Sequence, residues 1–411
     1  MNTSSLPPLS SKVFNATVVI AGLGYLIDMF DFLLYNMVRV ASLQDLGLSG
    51  DALTDAGIVI LNCQAVGVIL GACFWGILAD RKGRKLALLF SIAFYSIGSL
   101  LSAAVFNVES YALARFITGF GIAGELGGGV ALILEKLNAE KRGSGAMIFI
   151  SFGYIGVFLA ALIVELVEWR YAYIIGGVVG LLLLLTRAML KESWLYQEAA
   201  KTNVIRGGFK LITSNPLHFK RYIGAIFLMS SAVFAPQILW TLSPEIGRGM
   251  NLPEPVKANI VLGIGFGCFI LANILASWLS DKLRSRKKAV LILWILQILV
   301  FALYANWPVQ SLTEFYILNG FMALTGGIWV ITAAWIAEHF GTNIRGTVAT
   351  TVPNFARGMA VPMNLAYKEL KIVDPVFAIS VIGTVIFSLA IIGWSWLKET
   401  YGKDLNYVEH K

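Results

Sequence analysis

From about Phe14 to Leu397 the chain alternates long apolar stretches with short polar breaks, and this alternation fixes the class of fold before any motif is considered. Crossing roughly 30 Å of hydrocarbon takes about 20 helical residues, with every backbone donor and acceptor bonded inside the segment. About twelve stretches meet that length, at residues 14–38, 56–79, 86–106, 111–134, 143–167, 169–190, 222–242, 257–279, 289–306, 311–336, 346–366 and 375–397. Only 14% of the 411 residues are charged and 57% are hydrophobic, whereas soluble domains average about 25% charge. The expectation is an all-α integral membrane protein with no room for a sizeable soluble domain.

Between the second and third stretches the chain reads Gly76-Ile77-Leu78-Ala79-Asp80-Arg81-Lys82-Gly83-Arg84-Lys85, with four cations and a carboxylate in its last six residues. Charge this dense cannot lie in hydrocarbon, so the turn belongs at a membrane surface. A weaker echo, Ser280-Asp281-Lys282-Leu283-Arg284-Ser285-Arg286-Lys287-Lys288, joins the eighth and ninth stretches. Glu135 lies seven residues before Arg142-Gly143, as Glu338 does before Arg345-Gly346, and the two pairs are offset by 203 positions. Landmarks repeated in this way indicate duplication. The expected organisation is a six-helix bundle at 1–190, a polar linker at 191–221, and a second six-helix bundle with a tail at 222–411.

The net charge of +8 comes from 32 Lys and Arg against 24 Asp and Glu. These cations gather in alternate loops, which is positive-inside bias; a nucleic-acid-binding surface would collect them on one face of a folded domain. Placing the basic turn in the cytoplasm puts both tails and the linker there too, with about 24 of the cations. The stretch after the polar first dozen residues contains Asp28 and Asp31, so it reads as a retained span and not as a cleaved leader. Cys63, Cys73 and Cys268 fall inside apolar stretches and read as packing residues. His218, His339 and His410 are scattered without metal-ligand spacing. No nucleotide loop or nucleophile elbow is present, so the sequence supports neither an ATP-driven pump nor an enzyme. No metal or cofactor is expected. Pro236, Pro353 and Pro362 lie inside the seventh and eleventh stretches, where they should kink or break the helix.

Gly76 to Lys85 fills every consensus position of G-x-L-a-D-r-x-G-r-(R or K), and so resembles the signature loop of the major facilitator superfamily. Arg115-Phe116-Ile117-Thr118-Gly119-Phe120-Gly121-Ile122-Ala123-Gly124-Glu125-Leu126-Gly127 resembles the fourth-span motif of the sugar porters and metabolite:proton symporters, with Ala123 where the latter have glycine. Asp28-Met29-Phe30-Asp31-Phe32-Leu33-Leu34-Tyr35 is similar to the acidic-aromatic first-span motif of the same symporters. Trp169-Arg170 and Glu192-Ser193 match landmarks of that branch, although Lys191 replaces the usual proline. The glycine-proline motif of drug:proton antiporters is missing after Gly153-Tyr154-Ile155-Gly156. The resemblance covers the whole chain. It implies twelve helices in two bundles related by pseudo-two-fold symmetry, moving about a central site, in a multi-pass protein of the bacterial inner membrane.

A charged carboxylate at the membrane centre costs roughly 2.5–3.5 kcal/mol on insertion scales, so three of them near mid-depth demand a reason. Asp28 and Asp31 lie at i and i+3 on the first span, and Glu125 lies at similar depth on the fourth. Burial and like charge favour a protonated carboxyl and a guanidinium favours the ionised one, so a cluster of these three with Arg115 can exchange protons. A fixed ion pair that only orients two helices is the plainer alternative. The resemblance implies that Asp31, the favoured proton site, pairs with Arg115.

Arg357, near the middle of the eleventh span beside Pro353 and Asn354, has no carboxylate at its depth in the second half and reads as an anion receptor. Its plainer alternative is an ion pair across the bundles with Asp28, Asp31 or Glu125. Tyr154, Gln237, Trp240, Asn319 and Trp329 lie on spans that line the pathway in the superfamily, and are further cavity candidates. Gly76, Asp80, Gly83, Arg84 and Asp281 in the basic turns, with Glu135, Arg142, Glu338 and Arg345, are the candidate gating residues, Asp80 and Arg84 by bridging to the neighbouring half.

Together these features point to a monomeric secondary transporter that couples a small organic metabolite, a carboxylate by the Arg357 reading, to inward proton flow. Its partners would be substrate, protons and lipid. A proton-independent uniporter or exchanger of a sugar or amino acid, or a transporter-like receptor, is the alternative.

Overall fold

The computed structural model describes residues 16–136, 142–188 and 212–402. The first half contains α1 (Ala16–Asp45), α2 (Gly50–Lys82), α3 (Arg84–Ala103), α4 (Val108–Lys136), α5 (Arg142–Leu166) and α6 (Trp169–Ala188). The second contains α7 (Pro216–Phe234, prolonged by a π-helical stretch Ala235–Trp240), α8 (Ser243–Gly249), α9 (Ala258–Leu283), α10 (Arg286–Asn306) and α11 (Leu312–Leu324). A 3₁₀ turn, Thr325–Gly327, leads into α12 (Ile328–His339), followed by α13 (Thr342–Gly358), α14 (Ala360–Leu370) and α15 (Pro375–Trp396). Ten spans among the described residues are long and apolar enough to cross a membrane. Beside them run α4, which carries Arg115 and Glu125, and the broken pair α13–α14.

The helices make the two bundles of the fold. In the first, α4 packs against α2 and α3, α1 against α5, and α3 against α6; in the second, α7 packs against α15. The seams between them are α5 with α9 and α2 with α13 and α14. Close approach along α2 and α4 depends on absent side chains. A Cβ at Gly67 would strike the Phe116 carbonyl, and one at Gly119 the Gln64 carbonyl. Across the seam, Gly127 of α4 lies against the Thr350 side chain of α13.

The prolines act as expected. Pro236 removes a backbone donor and its ring excludes the preceding turn, and the chain widens there into the π-helical stretch. The eleventh span breaks between Gly358 and Ala360, after Pro353 and before Pro362. Polar side chains satisfy several free helix starts: Ser311 accepts from the Glu314 N–H at 3.2 Å and Asp374 from the Phe377 N–H at 2.8 Å.

The two basic turns differ in backbone. Gly83, at φ 103°, joins α2 to α3, whereas Arg284, at φ 46°, caps α9 in the left-handed region, where a non-glycine residue is uncommon. Beyond α15, Glu399 folds back onto the start of α10. It accepts from the Arg286 and Lys287 N–H groups at 3.0 and 3.1 Å and from the Ser285 hydroxyl. Burial opposes its charge, but these bonds and one from the Tyr401 N–H outweigh it and hold the carboxyl at about 2.

Candidate functional site

Eight Asp, Glu and Arg side chains are buried among the described residues: Asp28, Asp31, Arg39, Arg115, Glu125, Arg187, Glu245 and Arg357. Six form three ion pairs, Asp31 with Arg115, Glu125 with Arg187, and Arg39 with Glu245. Asp28 and Arg357 are left over, with opposite charges.

Asp31 is held on three sides. Its Oδ1 accepts from the Ser99 hydroxyl at 2.8 Å and lies 3.7 Å from Arg115 Nη1. Arg115 also donates to the Asp31 carbonyl at 2.8 Å and, from Nε and Nη2, to Gln64 Oε1 at 3.1 and 3.0 Å. Gln64 is fixed in turn by its own bond to the Phe32 carbonyl at 2.8 Å. The expected pairing of Asp31 with Arg115 is present in the geometry.

Glu125 does not share that arginine. Glu125 meets Arg187, whose Nη1 donates to Oε2 at 2.8 Å while Nη2 contacts Oε1 and donates to the Ala21 carbonyl at 3.0 Å. Gly24 leaves the space for this pair, because a Cβ there would collide with the Arg187 guanidinium. With Glu125 engaged elsewhere, Arg115 serves Asp31 alone. Arg187 went unnoticed in the sequence; an arginine at the end of the apolar run Leu181–Leu185, at the same depth as Glu125, was the available signal.

Asp28 is fully buried, and neither of its oxygens has a hydrogen-bond partner among the described residues. It lies within electrostatic reach of Glu125, Arg357, Asp31 and Arg187. Arg357, on α13, donates weakly to Asn354 Oδ1 and to the Tyr25 hydroxyl, each at 3.4 Å, and lies 3.5 Å from the Met29 sulfur. Its guanidinium stands over the Phe32 ring at 4.8 Å and the Trp329 ring at 5.7 Å. No carboxylate pairs with it among the described residues. Asn354 spans the seam, donating to the Ala123 carbonyl at 3.2 Å.

A narrow cavity between the bundles is lined by Phe32, Asn36, Leu61, Gln64, Ala65, Val68, Gln237 and Arg357. Of the expected substrate residues, Arg357 and Gln237 line it, and Trp329 and Asn354 support Arg357. Trp240 and Tyr154 are not among the lining residues and pack on Phe266 and Phe269 at ring separations of 5.1–5.9 Å, Tyr154 within electrostatic reach of Arg357. Asn319 bonds to the Phe315 carbonyl of its own helix. On α1, Tyr25, Met29, Phe32 and Asn36 recur at helical spacing, the first two touching Arg357 and the last two lining the cavity, a face that the sequence pattern offers but the motifs do not mark.

Among the gating candidates, the side chains of Asp80, Arg84, Glu135 and Arg142 lie outside the described residues. Asp281 and Glu338 both turn to Arg286, at 3.4 and 3.3 Å, within the second bundle. Arg345 donates to the Ala337 and Phe340 carbonyls. Open space surrounds Gly76, and Gly83 supplies the positive φ of the turn.

The family model of the Major Facilitator Superfamily matches residues 21–361. The chain belongs to that superfamily. It is therefore a multi-pass membrane transporter and not an enzyme. Among its relatives, a putative niacin/nicotinamide transporter of Bacillus subtilis (strain 168) is 26% identical over 351 residues, 82% of this chain and 84% of that one. A probable 4-methylmuconolactone transporter of Cupriavidus pinatubonensis is 24% identical over 401 residues, 92% and 89% of the two chains. An inward-open structure of the xylose transporter XylE from E. coli superposes with a TM-score of 0.70 at 18% identity, covering 94% of this chain and 97% of that chain. That likeness bears on the fold.

Proposed function

We propose that this transporter is a proton symporter for a small organic carboxylate in the bacterial inner membrane, with both tails and the Gly83 turn in the cytoplasm. The observation that carries the reading is the leftover pair: one buried carboxyl, Asp28, and one buried guanidinium, Arg357, that have no ion-pair partner among the described residues. An isolated charge in the interior is far more costly than a neutral group. In the empty carrier, Asp28 and Arg357 balance one another across the seam.

A substrate carboxylate entering the cavity takes Arg357 as its partner through the planar fork of donors. The Asp28 charge is then uncompensated unless a proton neutralises it. Substrate and proton therefore bind together and leave together, and rocking of the two bundles carries both. The transported unit of one monoanion and one proton has no net charge. Phe32 and Trp329, already over the guanidinium, flank the place where a planar or ring-bearing acid would sit. The relatives named for niacin/nicotinamide and for 4-methylmuconolactone, small ring metabolites, agree with a substrate of this size.

The test is uptake of a panel of small carboxylates and their amides into proteoliposomes with an imposed inside-alkaline pH gradient. Accumulation of an acid that collapses with the gradient supports the reading. Uptake indifferent to the gradient, or preference for the uncharged amide, refutes it.

A further inference from the structure

Above the cavity, at the end of α1 away from the Gly83 turn, the third buried ion pair joins the bundles. Arg39 of α1 is fully buried, and its Nη2 donates to Glu245 Oε2 at 2.8 Å and to the Thr241 carbonyl at 3.2 Å. Glu245 stands on α8, just beyond the end of α7, and its other oxygen accepts from the Thr54 hydroxyl of α2 at 3.4 Å. One turn below Arg39, Asn36 donates to the Thr241 hydroxyl at 2.6 Å. Gly57 of α2 gives the arginine its berth, since a Cβ there would press on the Arg39 side chain at 2.9–3.3 Å. Hydropathy ends the first span before Arg39, but α1 continues to Asp45 and takes the arginine inside.

Other ion pairs cross the seam at this end, but each has at least one partner open to solvent. Lys257 pairs with Glu165 at 3.1 Å with both side chains about half exposed, and Lys371, itself largely buried, reaches the half-buried Asp55 at 2.9 Å and the exposed Asp51 at 3.4 Å. Pairs of this kind contribute little and are screened by salt.

We propose that Arg39 and Glu245 form the lock of the outer gate, closed in this structure and broken when the cavity opens to the outside; the word outer rests on the orientation proposed above. A buried charge pair has two tolerable states, joined or fully hydrated, and nothing stable between them. That makes it a switch, where the exposed pairs yield gradually. Asn36 lines the cavity and sits in the same network, so parting Arg39 from Glu245 also uncovers the cavity. Two Arg39 donors, Nε and Nη1, have no acceptor in the closed state. Water would satisfy them in the open state, which offsets part of the loss and keeps the lock openable.

The pair can be tested without knowing the substrate. With Cys63, Cys73 and Cys268 changed to Ser, a single cavity cysteine, Leu61→Cys, is labelled with a membrane-impermeant maleimide in intact cells and in inverted vesicles. Glu245→Gln and Arg39→Gln each leave one buried charge unpaired in the closed state, so labelling from outside should rise about tenfold or more. The exchanged pair, Arg39→Glu with Glu245→Arg, should return labelling toward the parent rate. Thr54→Val, which keeps the side chain's shape and removes only its hydroxyl bond to Glu245, should shift labelling in the same direction by a smaller factor. Parent-like labelling from both sides in the single variants, or an exchanged pair no tighter than either, overturns the lock. Acceleration confined to inverted vesicles supports the lock and reverses the orientation.

Discussion

Arg357 of the second bundle lies against Tyr25 and Met29 of α1, on either side of Asp28 in the sequence, and neither Arg357 nor Asp28 has an ion-pair partner among the described residues. The remaining buried Asp, Glu and Arg side chains among those described are paired. In the proposed symport, substrate charge and proton meet at one seam between the two moving parts. A change of charge on either group alters the balance on both.

Asp28→Asn should abolish accumulation driven by a pH gradient while sparing counterflow, because exchange needs binding and rocking but no net proton movement. Asp31→Asn should behave differently. It strips Arg115 of its only ion-pair partner among the described residues in a fully buried site, which costs on the order of 3–5 kcal/mol, and should lower both thermal stability and exchange. Parallel uptake, counterflow and melting measurements separate the two. A melting temperature for Asp31→Asn equal to the parent, with loss of pH-driven uptake alone, would return the proton site to Asp31.

Arg357→Gln should weaken binding of an anionic substrate by about 1.5–3 kcal/mol, roughly 10- to 150-fold, the range for hydrogen bonds to a charged group. Arg357→Lys keeps the charge but loses the fork and should fall between. Titration of purified protein with a transported acid and with its amide checks this; equal weakening for both ligands would show that Arg357 does not read charge.

One monoanion moving with one proton carries no current. Uptake at fixed pH gradient should be insensitive to a potassium diffusion potential set with valinomycin. A transport rate that rises with inside-negative potential would mean a second proton, and would bring Asp31 or Glu125 into the coupling path.

The spans and the repeat were legible in the sequence because both rest on quantities local to the chain, such as length, hydropathy and the charge of loops. The eleventh span's break was announced by Pro353 and Pro362 in the same way. Which arginine meets which carboxylate was not local. Glu125 is one residue from the glycine motif of α4, yet its partner, Arg187, arrives from α6 through the space left by Gly24 of α1. Nothing in any one of those segments states that register. Trp240 and Tyr154 show a different limit: aromatic residues on pathway helices pack well on Phe266 and Phe269, and hydropathy does not distinguish packing from lining. Arg39 and Glu245 each lie just beyond an apolar run as hydropathy bounds it, at 38 and 242, although the fold buries both.

The paired carboxylate of α4 should prove structural. Glu125→Gln leaves Arg187 charged and buried, so a loss on the order of 3–5 kcal/mol is expected. The double change Glu125→Leu with Arg187→Met should recover much of it, since apolar replacement of a buried pair is often neutral or better. Melting of the purified variants decides, and pH-driven uptake retained in the double variant would exclude Glu125 from coupling.

The last prediction concerns the end of the chain that docks on α10. Glu399 lies outside the spans, and its carboxyl is held at about 2, below the ordinary 4.5. A depressed value means that the charged form stabilises the fold. The contribution is complete above pH 4.5 and is lost as pH falls toward 2. Because Glu399 is itself exposed, solvent screening limits the effect, and Glu399→Gln should cost only about 1 kcal/mol at neutral pH. The gap in melting temperature between parent and variant should close as the pH is lowered from 5 to about 3, near the lower part of that titration window. A constant gap across that range would show that packing of the segment, and not the carboxylate on the α10 N-terminus, holds it in place.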